Sequence, residues 1–218
     1  MFEGPMVHVG RLFSMPISND FSWVTPQLLF WQAYDSKCRT EVSCCAHVVD
    51  GSLVLVDPIK LTDPAEKELL TLVRPLAVII TNGNHYRATA HFRTRYGIPV
   101  IAHPEAGADL GITLDQVVAD GIELFDQFQV ITLPGAGPGE IALYREEFGT
   151  LTLGDIVVHL TGHGFSVWPD KYCENPQLAR QSLRKLKPLS LGILTFAHGL
   201  PMVSEAGTRL NRLIDTNL

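Results

Sequence analysis

"VIITNGNHYRATAHF" (residues 78–92) is the stretch from which the architecture can be read. An apolar, β-branched run, Val78-Ile79-Ile80, stops at a polar knot, Thr81-Asn82-Gly83-Asn84-His85-Tyr86-Arg87, and a helix-like stretch follows. β-branched side chains favour extended backbone, and an unbroken apolar run implies a strand buried on both faces. The knot therefore sits at the C-terminal end of a core strand, where α/β proteins usually place their sites. Yet Asn, Tyr and Arg with a single His make a poor set for metal binding or acid–base chemistry.

Outward from this stretch the same grammar recurs. "QLLFWQAYD" (27–35) reads as a strand, and "VSCCAHVVDGSLVLVDP" (42–58) as a hairpin turning at Asp50-Gly51. Asp63-Pro64-Ala65-Glu66 predicts a helix start, with Asp63 as cap and Glu66 completing a capping box. "LAVIITN" (76–82) and "IPVIAH" (98–103) predict buried strands around a helix that ends at Gly97. In the second half, "QVITLP" (129–134) leads into the loop Gly135-Ala136-Gly137-Pro138-Gly139. "EIALYRE" (140–146) and "GTLTLGDIVVHL" (149–160) predict a hairpin, and Asn175-Pro176 caps a helix running to about Lys187. "LGILTFAH" (191–198) reads as another buried, central strand and "SEAGTRLNRLID" (204–215) as a closing helix. Two mixed sheets packed face to face with helices outside satisfy this order. No linker or repeat divides the chain, so residues 1–218 are expected to form one domain.

Composition narrows the function classes. Hydrophobic residues make up 46% of the 218 and charged residues 18%, enough apolar material for a sizeable core. A formal net charge of −6 without a Lys/Arg stripe argues against nucleic acid or an anionic membrane as partner. No apolar run approaches the roughly 20 residues of a membrane span, and the N-terminus lacks a leader pattern. Cys38, Cys44, Cys45 and Cys173 have no C-x-x-C spacing, and Cys44 and Cys45 should point to opposite faces of a strand. Reduced thiols and a cytoplasmic location are the expectation. No G-x-S-x-G elbow, P-loop or Rossmann fingerprint is present.

Four loops stand out, each after a predicted strand: Asn82–Arg87, Pro134–Glu140, Gly154-Asp155 and Ala197-His198-Gly199. With "VLVDP" (54–58) before them, their order and flanks resemble the metallo-β-lactamase superfamily over roughly residues 27–203. That family carries T-H-x-H-x-D-H, then P-G-H-T-P-G, then a strand ending in G-D, then a late strand ending in G-H or A-H before Gly. The resemblance implies a four-layer αβ/βα sandwich. It also implies a site of which little survives. The family's two leading His positions fall on Asn82 and Asn84, its Asp on Tyr86, its next His on Arg87, and the His of the Pro/Gly loop on Ala136. Only Asp155, the bridging ligand position, and His198, the last one, are kept.

Zinc is held by imidazole, thiolate or carboxylate. Asn is a weak ligand, Ala offers none, and Arg repels a cation. A binuclear centre is not expected, nor any cofactor, the alternative being one zinc or iron held by His85, Asp155 and His198. The leading expectation is thus a non-hydrolytic protein, structural or binding an unknown small molecule or anion. The runner-up is a hydrolase with one metal or metal-free acid–base chemistry on Asp155, His198 and His85. An interaction module working as a homodimer is the third class. His163, Glu140 and Asp57 are placed at the pocket rim, and His103 is read as structural. Asp57 is expected to bond loop backbone. Arg87 is expected to pair with Asp155 in place of the lost cations, with Glu140 as a second partner.

Overall fold

The computed structural model describes residues 15–217. Its first sheet has seven strands in the spatial order β2 (Ser22–Thr25), β3 (Leu28–Asp35), β4 (Thr40–Val49), β5 (Ser52–Val56), β7 (Arg74–Ile80), β8 (Val100–Ala102) and β9 (Gln116–Val117). The second has five, β10 (Glu123–Leu124), β11 (Phe128–Thr132), β12 (Ile141–Arg145), β13 (Thr150–Leu153) and β16 (Ile193–Phe196). Two short pairs complete the strands: β1 (Ile17–Ser18) with β6 (Lys60–Leu61), and β14 (Val157–Leu160) with β15 (Gly164–Val167). The helices are α1 (Asp63–Leu72), α2 (Thr89–Tyr96), α3 (Pro104–Leu110), α4 (Pro176–Ser182) and α5 (Ala206–Asn217).

Side-chain alternation builds the layers. On β5, Leu53 and Leu55 face one core together with Leu69 of α1, Phe92 of α2 and Ala106 of α3. Val54 and Val56 face the other way, against Phe128, Val130, Ile141 and Leu143 of the second sheet. The far side of that second sheet packs Leu151, Leu153 and Leu194 on Leu183, Leu210 and Ile214. Helix, sheet, sheet, helix is the αβ/βα sandwich that the sequence predicts, and the period of two in the strands creates it. Cys44 and Cys45 obey the same rule and lie in different cores.

The hairpin between β4 and β5 turns at Asp50 (φ 48°) and Gly51 (φ 75°), the pair of left-handed residues that a tight two-residue turn requires. Helix α2 stops at Gly97, whose φ of 64° only a glycine takes without strain. Several expectations are corrected. Thr62, not Asp63, precedes α1 and makes no side-chain cap. No capping box forms, because Glu66 is buried and turns to His91 and Arg95. The run 149–160 splits at Gly154-Asp155: β13 stays in the second sheet, while β14 pairs with β15, a segment too short and polar to read as a strand. Helix α4 ends at Ser182 and continues only as a 3₁₀ turn to Leu186. Strand β16 is an edge and not central; its outer side is covered by a bridge between Leu194 and Met202. Helix α3 follows Ala102 directly, and His103 caps it by accepting the Glu105 N–H at 3.3 Å.

Candidate functional site

The four loops do meet. Thr81, at the end of β7, receives Ile141 N–H at 2.8 Å, and Gly83 N–H reaches the Pro138 carbonyl at 2.9 Å. These backbone bonds join the end of the first sheet to the Pro/Gly loop of the second.

At the junction sits His85. Its Nδ1 lies 2.9 Å from Asp57 Oδ2, and its Nε2 lies 3.0 Å from Asp155 Oδ1. Asp57 ends β5 in a left-handed conformation (φ 50°). It is held there by Thr81, which donates its backbone N–H at 2.8 Å and its hydroxyl at 2.5 Å. A second imidazole, His198, brings its Nε2 to 3.3 Å from the same Asp155 oxygen. Its Nδ1 donates to the Glu41 carbonyl at 2.8 Å, and Trp168 stacks on its ring at 5.4 Å. His85, Asp155 and His198 are 2, 5 and 6% exposed, so water reaches none of them freely. A small pocket lined by Ile156, Trp168, Cys173 and Leu183 lies against α4, and none of the three residues lines it.

Charge follows from these contacts. Burial works to lower the basicity of His85, but the Asp155 and Asp57 carboxylates outweigh it and raise its pKa to about 9. Burial would raise the Asp155 carboxyl, yet the His85 charge and the His198 hydrogen bond hold it well below the usual range. For Asp57, too, the His85 charge overcomes burial and lowers the pKa. Glu140 behaves oppositely, since burial and the nearby Asp155 charge push it well above the usual carboxylate range.

Arg87 is not the partner of Asp155. Its guanidinium donates to three backbone carbonyls: Ser43 at 2.5 Å, Asp57 at 3.2 Å and Ala197 at 3.0 Å. The cause is local. Arg87 has φ 40°, and this left-handed kink directs the side chain to the strand ends. A cation does face Asp155, but it is His85, one residue off the frame that the family resemblance assigned to ligands. Glu140 is not bound to Arg87 either. Its Oε1 accepts the N–H groups of Asp155 (2.6 Å) and Ile156 (3.1 Å), and its Oε2 accepts Asn82 Nδ2 at 2.6 Å.

The remaining candidates disperse. Asn82 spends its other amide atom on Asn84 N–H at 2.8 Å. Asn84 is exposed, and Tyr86 packs on the core under the first sheet. Ala136 is buried. His163 is exposed at the tip of the β14–β15 hairpin, away from the donor cluster. Sequence reasoning passed over Trp168 and the Glu41 carbonyl. A backbone acceptor carries no sequence signal, and a tryptophan in a polar stretch has only its size to mark it. Ser43 was passed over as well. Its hydroxyl accepts Gly199 N–H at 3.0 Å and donates to the Gly199 carbonyl at 2.9 Å.

These residues do not fit a pair of metal ions. The positions that would complete a second ion carry an amide already bonded at both ends (Asn82), an exposed amide (Asn84), a methyl group (Ala136) and a guanidinium committed to carbonyls (Arg87). What is left is one group of three donors, His85, Asp155 and His198, whose ligand atoms lie within 4.8 Å of one another.

A profile of the metallo-beta-lactamase superfamily matches residues 21–217. No curated protein sequence matches the chain. Among solved structures, the DIM-1 metallo-beta-lactamase superposes with a TM-score of 0.73 at 14% identity, over 94% of this chain and 100% of its own. The metallo-beta-lactamase from Erythrobacter litoralis gives 0.71 at 14% identity, over 90% and 96%. A metallo-beta-lactamase family protein from Thermus thermophilus gives 0.65 at 19% identity, over 89% and 80%. At such identities the structural likeness speaks for the fold alone, but the profile covers nearly the whole chain, and with the sandwich and its convergent loops in place the chain belongs to the metallo-β-lactamase superfamily.

Proposed function

We propose that this chain is a non-hydrolytic member of its superfamily, a protein whose binuclear centre has eroded and whose former site is structural or holds a small ligand. The observation that carries this reading is the bond from Asn82 Nδ2 to Glu140 Oε2, which occupies the first ligand position with a contact inside the protein. The burial of the cluster supports it, since a hydrolase must admit both substrate and water. The ligand, on this reading, is a small molecule or anion. Nucleic acid and membrane are not partners, and a homodimer is admitted. Among the described residues no helix is long and apolar enough to cross a membrane. All four cysteines are unpaired, which supports a cytoplasmic location.

A panel of β-lactam, thioester and phosphodiester substrates tests the reading. The expected outcome is no turnover above background with or without added zinc. Turnover that Asp155→Asn abolishes would overturn it and favour the second reading, a hydrolase built on Asp155, His198 and His85. The convergence of these three donors on one point is the observation in favour of that reading.

A further inference from the structure

We infer that the sandwich carries an anion site at the end remote from the converging loops, where the Arg145 guanidinium binds one monovalent, halide-sized ion between the two sheets. The inference goes beyond the reading above and does not depend on it.

Strand β12 starts at the loops, where Ile141 N–H meets the Thr81 carbonyl, and Arg145 is its last residue. Alternation puts Arg145 on the same face as Ile141 and Leu143, which pack with Phe128 and Val130 in the core between the sheets. The residue is only 4% exposed. A guanidinium does not deprotonate, so a full positive charge stands on a face where its strand neighbours are aliphatic. Its partners are too few. Nη2 donates to Gln127 Oε1, while Nε and Nη1 have no hydrogen-bond partner among the described residues. The ring centres of Phe128 and Phe148 lie 5.4 and 4.3 Å from the guanidinium carbon. Their π faces attract the charge but are weak acceptors for N–H groups.

No carboxylate among the described residues bonds these two nitrogens. The link to Asp50, in the β4–β5 turn, runs through Gln127, whose Nε2 donates to Asp50 Oδ1 at 3.4 Å. Glu147 is exposed on the 3₁₀ turn after β12. Burial lowers the Arg145 pKa in spite of the Glu147 and Asp50 charges. A buried cation with two unused N–H groups is costly until a negative partner joins it. The acidic neighbours limit that partner's charge. A divalent anion would be repelled by Asp50 and Glu147, whereas a single negative charge is matched by the guanidinium. The closed surroundings limit its size to that of a halide. Phe148, half-buried over the guanidinium, is the side chain that such an ion displaces on entry.

The test follows thermal unfolding of the full chain at neutral pH and fixed ionic strength, with sodium chloride replacing sodium gluconate. A saturable rise in the unfolding temperature is expected. For a dissociation constant of about 20 mM, about 0.2 M chloride lowers the unfolding equilibrium constant roughly tenfold. Arg145→Met should erase this response. Arg93→Met, which removes an exposed arginine paired with Asp115, should keep it. A crystal soaked in bromide should show an anomalous peak within hydrogen-bond reach of Arg145 Nε or Nη1. That peak alone decides the outcome if Arg145→Met does not fold. The inference is overturned if the unmodified protein does not respond to chloride, if Arg145→Met responds as strongly as the unmodified protein, or if bromide gives no peak at the guanidinium. Turnover of a panel substrate would sink the non-hydrolytic reading and leave the anion site standing. An inactive protein without a chloride response would do the reverse.

Discussion

Two buried histidines show how one side chain is put to opposite uses in one molecule. His85 stands at the ends of the strands between two carboxylates, and in the metal-free protein they raise it to about 9. His47 stands in the middle of β4, between the sheets, 2.9 Å from the Thr152 hydroxyl and edge-on to Phe128. There burial, aided by the Arg145 charge, lowers it to about 3. Both are almost fully buried, at 2 and 1% exposure, so depth does not distinguish them. The neighbours do. Hydroxyls and rings leave an imidazole neutral, whereas carboxylates charge it and are held in turn. Strand ends can supply carboxylates because loop backbone solvates them. The middle of a sheet has no spare N–H groups for that task.

The sharpest test of this contrast is substitution by leucine. His85→Leu should cost about 3–5 kcal/mol in urea unfolding of the metal-free protein at neutral pH, since it strands two buried carboxylates. His47→Leu should cost about 1–2 kcal/mol, the loss of a neutral hydrogen bond. Equal losses would erase the distinction.

A second test is the pH dependence, where the two residues carry opposite signs. His47 has a folded pKa below its unfolded one. It leaves stability untouched above about 6.5 and erodes it as pH falls from there toward 3, by at most about 1.4 kcal/mol per unit. His85 has a folded pKa above its unfolded one. Its contribution is complete below about 6.5 and is lost as pH rises through about 9. Removing His47 should flatten the acid arm, and removing His85 the alkaline arm. Urea titrations across pH would show any exchange of these assignments.

Arg87 offers a third test of which cation serves the carboxylates. Arg87→Met should cost about 2–3 kcal/mol through three orphaned carbonyls. Combined with Asp155→Asn, the two losses should add to within about 0.5 kcal/mol. A larger coupling in the double-mutant cycle would return Arg87 to the site. The smallest expected effect is Thr152→Val, about 1 kcal/mol, because it removes the hydroxyl that His47 bonds.

The contrast also explains what was legible in advance. Runs such as 76–80 and the Asp50-Gly51 turn are local: burial and dihedral preference set them residue by residue. The meeting of the loops was legible as well, since each follows an apolar run. Side-chain direction within the knot was not. In a strand a shift of one residue reverses direction, but in a kinked loop sequence spacing no longer maps onto direction. A left-handed Arg87 therefore took the carbonyls and left Asp155 to His85. The β14–β15 pair and the Trp168 stack depend on contacts between segments with no periodicity of their own.

The link between Asn82 and Glu140 works as a ratchet. Suppose histidine were placed at position 82. Glu140 Oε2 would lose its donor in a place where its carboxyl already resists ionisation. Its Oε1 also holds the turn that presents Asp155, so the damage would reach that carboxylate too. Position 140 must change first, or in the same step, and that change by itself loosens Asp155. Each of these single changes therefore passes through a weaker protein. Folding thus sets a barrier to a histidine at position 82 before any chemistry is tried.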